Sequence, residues 1–358
     1  MDSSMEDVAA LAGVSVTTVS RALRQSPLVS AATTARVVAA AAELSFAVSR
    51  NASSLATGRL GRIGVLVSGH LASWFNGSIL DGIYATLRDA DVELLIYRIT
   101  DTTERDSFFA TLPARRNADA LIVASFALSS QEQERLQDLA MPLVYLNQTV
   151  AGARSVSIDD AAGARMGARH LLNLGHRRIA YVKVDNRAGF FYSSEQRIDG
   201  FRAELTDAGL ALTDQPTLRA RSFSDGEQVV AQFLALSPLP TALMVDSDEL
   251  AMSILSACSR MGVRTPEDVS VLGFDDHAMA VTFGLSTIAQ PVDRLGREAA
   301  TLALSLVGSD PAAERSALET GGTRPQEIVV PTRLVLRHST ARPRETDRLT
   351  HPTHSPAG

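Results

Sequence analysis

Apolar and polar positions follow three successive regimes along the chain. Over residues 4–45 the spacing is helical. Val8, Leu11, Val14, Val19 and Leu23 fall on the inward side of two short helices. Ser4 and Ser15 stand where caps are needed, because a side-chain oxygen there accepts a backbone N–H that the first turn leaves free. Gly13 lies between them, where a tight turn needs positive φ. TTARVVAAAAEL (33–44) predicts a third helix with Val37, Ala40, Ala41 and Leu44 inward, and Ala9, Ala10 and Ala12 leave room for close helix crossing. Residues 46–61, FAVSRNASSLATGRLG, are small and polar and read as a linker. It is either a short helix capped at Ser49 and stopped at Gly58, or without fixed structure.

From residue 62 to 337, strand-like runs alternate with helical periods. The strands are expected at 63–67, 92–97, 120–124, 142–146, 179–184, 242–245 and 269–274. Helices are expected at 76–89, 104–115, 130–139, 161–174, 194–208, 225–235, 248–261 and 292–307. That alternation predicts an α/β fold of parallel sheets covered by helices on both faces. There are too many units for one compact sheet, so two lobes are expected. Ligands of such sheets sit at the carboxyl ends of strands. The final segment, 338–358, has no apolar periodicity and is expected to be disordered.

Composition narrows the classes. The chain has 358 residues, enough for two or three domains, and 45% of them are apolar. No apolar stretch is free of charge over the roughly 18 residues that a membrane helix needs. The N-terminal MDSSMEDVAALAG has acids where an export signal has basic residues, so a cytoplasmic protein is expected. The single Cys258 excludes an intramolecular disulfide and reads as a buried small hydrophobe. Net charge is −6, yet residues 1–62 carry six arginines against four acids. A mildly basic headpiece can still meet DNA, since only the docked face must be basic. The small excess favours a dimer. Lys183 is the only lysine, so phosphate contacts would fall to arginine, hydroxyls and backbone N–H groups.

The segment EDVAALAGVSVTTVSRAL (6–23) fits a helix-turn-helix, whose second helix enters the major groove with its N-terminus first. Val16, Thr17, Thr18, Ser20 and Arg21 then face outward while Val19 and Leu23 anchor the helix. Arg21 can pair with guanine, and Val16 or a threonine methyl can touch the thymine methyl. On periodicity alone, a small helical bundle with a solvated face competes with this reading. No phosphate-binding loop, metal-ligand spacing or nucleophile motif occurs, so no catalytic residue, metal or cofactor is expected. The pairs Asp159–Asp160 and Asp275–Asp276 read as caps or ligand acceptors.

AGVSVTTVSRAL resembles the recognition motif of the lactose-repressor family of bacterial regulators. VSIDDAAGAR (156–165), LGHRRIAYV (174–182), RTPEDVSVLGFDD (264–276) and LSTIAQPVDRLGREAA (285–300) resemble its core signatures in the same order. The resemblance implies a helix-turn-helix headpiece (1–46), a hinge helix (47–61) and a two-lobed periplasmic-binding-protein-like core (62–337). The first lobe would comprise about 62–158 and 291–320, the second about 159–290 and 321–337. It implies base reading by Val16, Thr17 and Arg21 and phosphate contacts by Thr18 and Ser20, with Ser15 beside them. In the hinge it implies a minor-groove wedge at Leu55, with Asn51 in the same DNA-contacting set. The hinge departs from the family: Val48 and Ser49 stand where Pro-Asn is common, and Ser53 where Arg is common. Glu6 replaces a frequent Lys, and Arg24-Gln25 a frequent Asn-Gly.

The resemblance also implies an effector pocket between the lobes, lined by Ser73, Trp74, Phe75, Asn76, Arg197, Ser247 and Asp275. An aromatic face with a few polar groups suits a sugar. Trp74 stands where Pro is usual and Ser247 where Asn is usual. For Trp74 and Phe75 lobe packing is the alternative, and for Asp275 loop capping. The expected function is a homodimeric transcriptional repressor, released from a palindromic operator by a sugar-type molecule. A transport solute-binding protein would need an export signal and has no use for residues 5–23. An α/β enzyme would need one of the absent motifs.

Overall fold

The computed structural model describes residues 4–23, 28–44, 46, 59–124, 127–139, 141–148, 150, 152–185, 193–307 and 327–344. The chain divides into two compact units, Met1–Gly61 and Arg62–Gly358. The hinge residues Val48, Ser49, Asn51, Ser53 and Leu55 lie outside the described residues.

The first unit contains α1 (Met5–Ala12), α2 (Val16–Leu23) and α3 (Ala31–Glu43). Ser4 and Asp7 form a reciprocal capping box at the start of α1, satisfying free N–H groups from both sides. Gly13, at φ 65°, ends α1 by donating to the Ala10 carbonyl. Ser15 caps α2, its Oγ accepting the Thr18 N–H at 3.1 Å. The core is built of Val8, Val19, Ala22, Val37, Ala40 and Ala41 with Ala9 and Ala12. Leu11, expected inward, is instead 47% exposed. Ala9 and Ala12 take the inward positions of α1, and Leu11 falls on its outer side.

The second unit holds two six-stranded sheets. The first contains β1 (Arg62–Ser68), β2 (Glu93–Ile99), β3 (Ala120–Ala124), β4 (Leu143–Leu146), β5 (Arg154–Ser157) and β11 (Glu327–Val329), in the order β11-β5-β4-β3-β1-β2. All its pairings are parallel. The second contains β6 (Ile179–Val184), β7 (Thr217–Ala220), β8 (Ala242–Val245), β9 (Ser270–Asp275), β10 (Ser286–Ala289) and β12 (Arg333–Val335), in the order β12-β10-β9-β8-β6-β7. Only its β10–β12 pairing is antiparallel. Central strands such as β3 are buried throughout, as parallel strands covered on both faces must be.

Two helices carry most of the first lobe's packing: α4 (Trp74–Asp89) and α12 (Val292–Leu306), the last helix of the described chain. They cross so closely that a Cβ at Gly82 would run into the Asp293 carbonyl, and one at Gly296 into that of Ile79. In the second lobe α8 (Asp160–Leu174) packs against α9 (Ser193–Asp207) and α11 (Asp248–Arg260) against α10 (Gly226–Leu234). The first lobe's outer helices are α5 (Thr102–Thr111), α6 (Ala114–Asn117) and α7 (Ser130–Gln137). A single helix was expected over 104–115. Leu112, at φ 42°, and Pro113 break it in two.

The chain crosses between sheets three times, after β5, after β10 and after β11. Two expectations are corrected here. Residues 327–329 pair with β5 in the first sheet, not in the second lobe. Residues 338–344 are not disordered. The Val271 N–H donates to the Ser339 carbonyl at 2.8 Å, the Ala341 N–H donates to Ser270 Oγ at 3.0 Å, and Ser339 itself is buried. This segment runs beside β9 on backbone and hydroxyl hydrogen bonds, which need no apolar period.

Candidate functional site

A cleft of about 270 Å3 opens where strands of both sheets end. The first lobe supplies residues that follow β1 and β4, including His70, Ser73, Phe75, Asn76 and Asn147. The second supplies Ser194 and Arg197 from α9, Asp246 and Ser247 after β8, Asp275 at the end of β9 and Gln290 after β10. Ligands of open parallel sheets bind at such ends, because the strand order reverses there and neighbouring loops part.

Arg197 organises the floor. It is 6% exposed. Its Nε donates to Asp160 Oδ1 at 2.7 Å and its Nη1 to the Asp246 carbonyl at 2.5 Å. Asp275 Oδ1 lies 3.5 Å from Nη1, and the guanidinium sits 3.7 Å from the centre of the Phe274 ring. A buried cation is tolerated only when so paired. The surrounding carboxylates hold its pKa above the ordinary arginine value, against the opposing effect of burial.

Asp275 accepts a 2.6 Å hydrogen bond from Gln290 Nε2, and its backbone is at φ 129°, a region that non-glycine residues rarely enter. Burial pushes its carboxyl up, with Arg197 opposing. Asp246 is 8% exposed. Its Oδ2 accepts from Ser194 Oγ at 2.9 Å. Burial pushes its carboxyl up to about 6, against the Ser194 hydrogen bond and the Arg197 charge. Asp248 lies behind the cleft. It accepts from Thr287 Oγ1 at 2.7 Å and from the His277 N–H at 2.8 Å, and so ties α11 to β10 and the loop after β9.

Six of the seven residues expected in the effector pocket line this cleft: Ser73, Phe75, Asn76, Arg197, Ser247 and Asp275. Ser73 and Ser247 also cap α4 and α11. Asn76 Nδ2 donates to the Ser68 and His70 carbonyls, which fixes the loop after β1. Trp74 is the exception. Its ring packs on His277 of the second lobe with centroids 5.1 Å apart, and its backbone N–H meets the Glu249 carboxylate. As the first residue of α4 it points one helical step away from Phe75 and Asn76, towards the facing lobe rather than into the cleft.

Sequence reasoning did not find Asn147, Ser194, Asp246, Glu249 or Gln290. Each sits at a strand end or first helical turn, where nothing periodic marks it. The acidic run VDSDEL after a strand was the one available signal for Asp246. Asp160, read with Asp159 as a cap or ligand acceptor, divides from it. Asp159 caps α8 through the Ala162 N–H, while Asp160 holds Arg197.

On the headpiece, Ser15, Val16, Thr17 and Arg21 are exposed along α2, and Thr18 and Ser20 are half-buried beside them. Val19 and Ala22 face the core. The outward face of α2 thus presents hydroxyls and a branched methyl surface in its first turn and one guanidinium in its last, which is the set needed to meet base edges and phosphates. Asn51 and Leu55 lie outside the described residues. Among the described residues no group of acidic, histidine or cysteine side chains could hold a metal. No helix among them is long and apolar enough to cross a membrane.

Comparison with known proteins agrees with this geometry. Residues 4–49 match the family described as bacterial regulatory proteins, lacI family, and residues 168–340 match the periplasmic binding protein-like domain. The transcriptional regulator GalS of Salmonella typhimurium is 32% identical over 305 residues, covering 84% of this chain and 88% of GalS. The crystal structure of the lac repressor dimer bound to operator and the anti-inducer ONPF superposes with a TM-score of 0.80. It is 27% identical and covers 95% of this chain and all of that one. A structure of the transcriptional regulator CelR with cellobiose covers 94% of this chain and 99% of its own, at 26% identity and a TM-score of 0.63. The headpiece, the two-lobed core and these matches agree along nearly the whole chain: it belongs to the lacI family of bacterial transcriptional regulators.

Proposed function

We propose that this chain is a cytoplasmic homodimeric repressor, released from a palindromic operator when a sugar-type effector enters the cleft. It regulates transcription as a DNA-binding protein and is not an enzyme. The observation that carries the effector reading is the convergence of Arg197, Asp246, Asp275 and Gln290 on one cleft between lobes. Such a cleft senses a ligand because closure around it changes the relation of the lobes. The lac repressor and CelR structures, with an anti-inducer and with cellobiose, support the reading by analogy. Two headpieces on a palindrome follow from two-fold symmetry. A coupling of about 1–3 kcal/mol would change operator affinity 5- to 150-fold.

The DNA side rests on Val16, Thr17 and Arg21 reading bases, with Ser15, Thr18 and Ser20 at the backbone. Asn51 and Leu55 extend the proposal to the hinge. Selection from random DNA should return a palindrome, and anisotropy titration should show its release by a cleft ligand. Arg21→Ala should reduce affinity for that palindrome by about 1–3 kcal/mol without changing effector binding. Failure to select any sequence, or operator affinity indifferent to every cleft ligand, would sink the reading.

A further inference from the structure

Three buried polar atoms of the cleft residues have no hydrogen-bond partner among the described residues: Asp246 Oδ1, Asn147 Oδ1 and Gln290 Oε1. All three are acceptors. Several donors beside them are already engaged. Gln290 Nε2 serves Asp275, Asn147 Nδ2 serves Ser193, and Ser194 Oγ serves Asp246 Oδ2. Arg197 Nε and Nη1 serve Asp160 and the Asp246 carbonyl. Charge points the same way. Asp246, Glu249 and Asp275 line the cleft, and the one arginine among its described lining residues, Arg197, is already paired to Asp160.

An unmet buried acceptor is costly, and a further anion beside buried carboxylates is more so. A molecule that brings donors relieves this arrangement, and one that brings phosphate or carboxylate worsens it. Building on the effector reading above, we infer that the cleft selects a hydroxyl- or ammonium-bearing effector without phosphate or carboxylate, and that Asp246 sets this preference. Asp246 is placed to do so. Its backbone N–H donates to the Val182 carbonyl at 3.0 Å, its own carbonyl accepts from Arg197, and Ser194 holds Oδ2. Oδ1 has no hydrogen-bond partner of good geometry, although the Val184 N–H and the Lys183 charge also face this carboxylate. Gln290 and Arg197 both engage Asp275 at the same oxygen, Oδ1. The Asp246 side chain is a specificity element that the neighbouring Ser247, engaged as a helix cap, cannot replace.

The test is calorimetric titration of the full chain with matched sets: glucose, glucosamine, glucose 6-phosphate and glucuronate, and the same four forms of galactose. Ribose is paired with ribose 5-phosphate, and adenine, putrescine and citrate serve as non-sugar members. Binding is expected only among neutral and amino members, with the phosphorylated or carboxylated counterpart of any hit at least about 30-fold weaker, a gap of about 2 kcal/mol. Asp246→Asn should weaken the neutral hit and narrow that ratio. A purely structural role would lower both affinities together. An anionic member binding as well as its neutral parent overturns the inference, as does an unchanged ratio in a folded Asp246→Asn protein. Should that variant not fold, the ratio in the unaltered protein decides. Hits confined to adenine or putrescine would overturn the sugar reading and leave this one standing. Silence from every set would overturn both.

Discussion

In the first lobe β1 is flanked by β2 and β3, and in the second β6 is flanked by β7 and β8. From there outward the two sheets repeat the same order. Their contributions to the cleft do not repeat. The described first-lobe lining is hydroxyl, amide, imidazole and phenyl: Ser73, Asn76, Asn147, His70 and Phe75. Every described carboxylate and guanidinium in the lining comes from the second lobe. One architecture therefore serves two tasks. The second lobe holds a charged, pre-assembled floor, and the first supplies a neutral face that can move over it without breaking buried ion pairs. The Trp74 ring packs on His277 outside that floor, while its backbone N–H meets Glu249, a lining residue.

The sharpest way to break this comparison is to remove the floor's centre. Arg197→Ala leaves Asp160 and Asp275 buried without their cation. It should cost about 3–5 kcal/mol in denaturant unfolding and abolish effector binding. An equal loss from Asn76→Ala, whose amide only ties the loop after β1, would show that the lobes share the load. Asn76→Ala should cost about 1–2 kcal/mol.

Asp246→Asn tests the floor from the other side. Its folded pKa of about 6 lies above the ordinary carboxylate value of 3.8, chiefly because of burial. Well below pH 3.8 the carboxyl is protonated whether folded or unfolded, and its contribution to stability is fully present. That contribution is lost as pH rises through 6, where the folded state must carry a buried charge. The ligand-free Asn variant should therefore unfold at higher temperature than the unaltered protein at pH 8, by up to about 3 kcal/mol. The difference should fade towards pH 4. A variant less stable at pH 8 would contradict the burial argument.

Asp275→Ala should weaken the effector by about 1.5–3 kcal/mol, roughly 10- to 150-fold, while operator binding persists. Normal effector affinity would remove Asp275 from the site. The smallest effect belongs to the lobe boundary. Trp74→Ala should change effector affinity by about 1 kcal/mol or less, since an aromatic contact of this kind contributes about 0.5–1.5 kcal/mol and its ring packs on His277, which does not line the cleft. Because it is the only tryptophan, its emission should still change when the lobes move. Constant emission on effector binding would mean that the His277 contact is insensitive to closure.

Long elements were legible in the sequence because burial writes a period into them. The run ALIVA at 120–124 and the helix at 292–306 fall where the pattern placed them, within a residue. Strands of three or four residues, such as RSVS at 154–157, TLRA at 217–220 and STIA at 286–289, are too short and too polar to stand out, and the lobe assignment of 327–329 failed for the same reason. In the headpiece, alanine packing hid which side was inward, so Leu11 misled where Ala9 and Ala12 did not. At the cleft, Arg197 and Asp275 were legible through family resemblance. Asp246 and Gln290 were not, because what makes them matter is an unmet acceptor, and that exists only once the chain has folded around it.

The return of β11 to the first sheet bears on how the protein is made. The outer edge of β5 is translated with residues 154–157, but its partner is not translated until residues 327–329. At about 5–20 residues per second, that edge waits on the order of ten to thirty seconds on the ribosome. The second sheet also waits for its last strand, β12, though its partner β10 is translated much later than β5. Neither lobe can be completed before the other is nearly finished, so the two reach their final form together, late in translation. An exposed strand edge invites pairing with other nascent chains. Truncations just before residue 327 should for that reason aggregate rather than yield a separable first lobe.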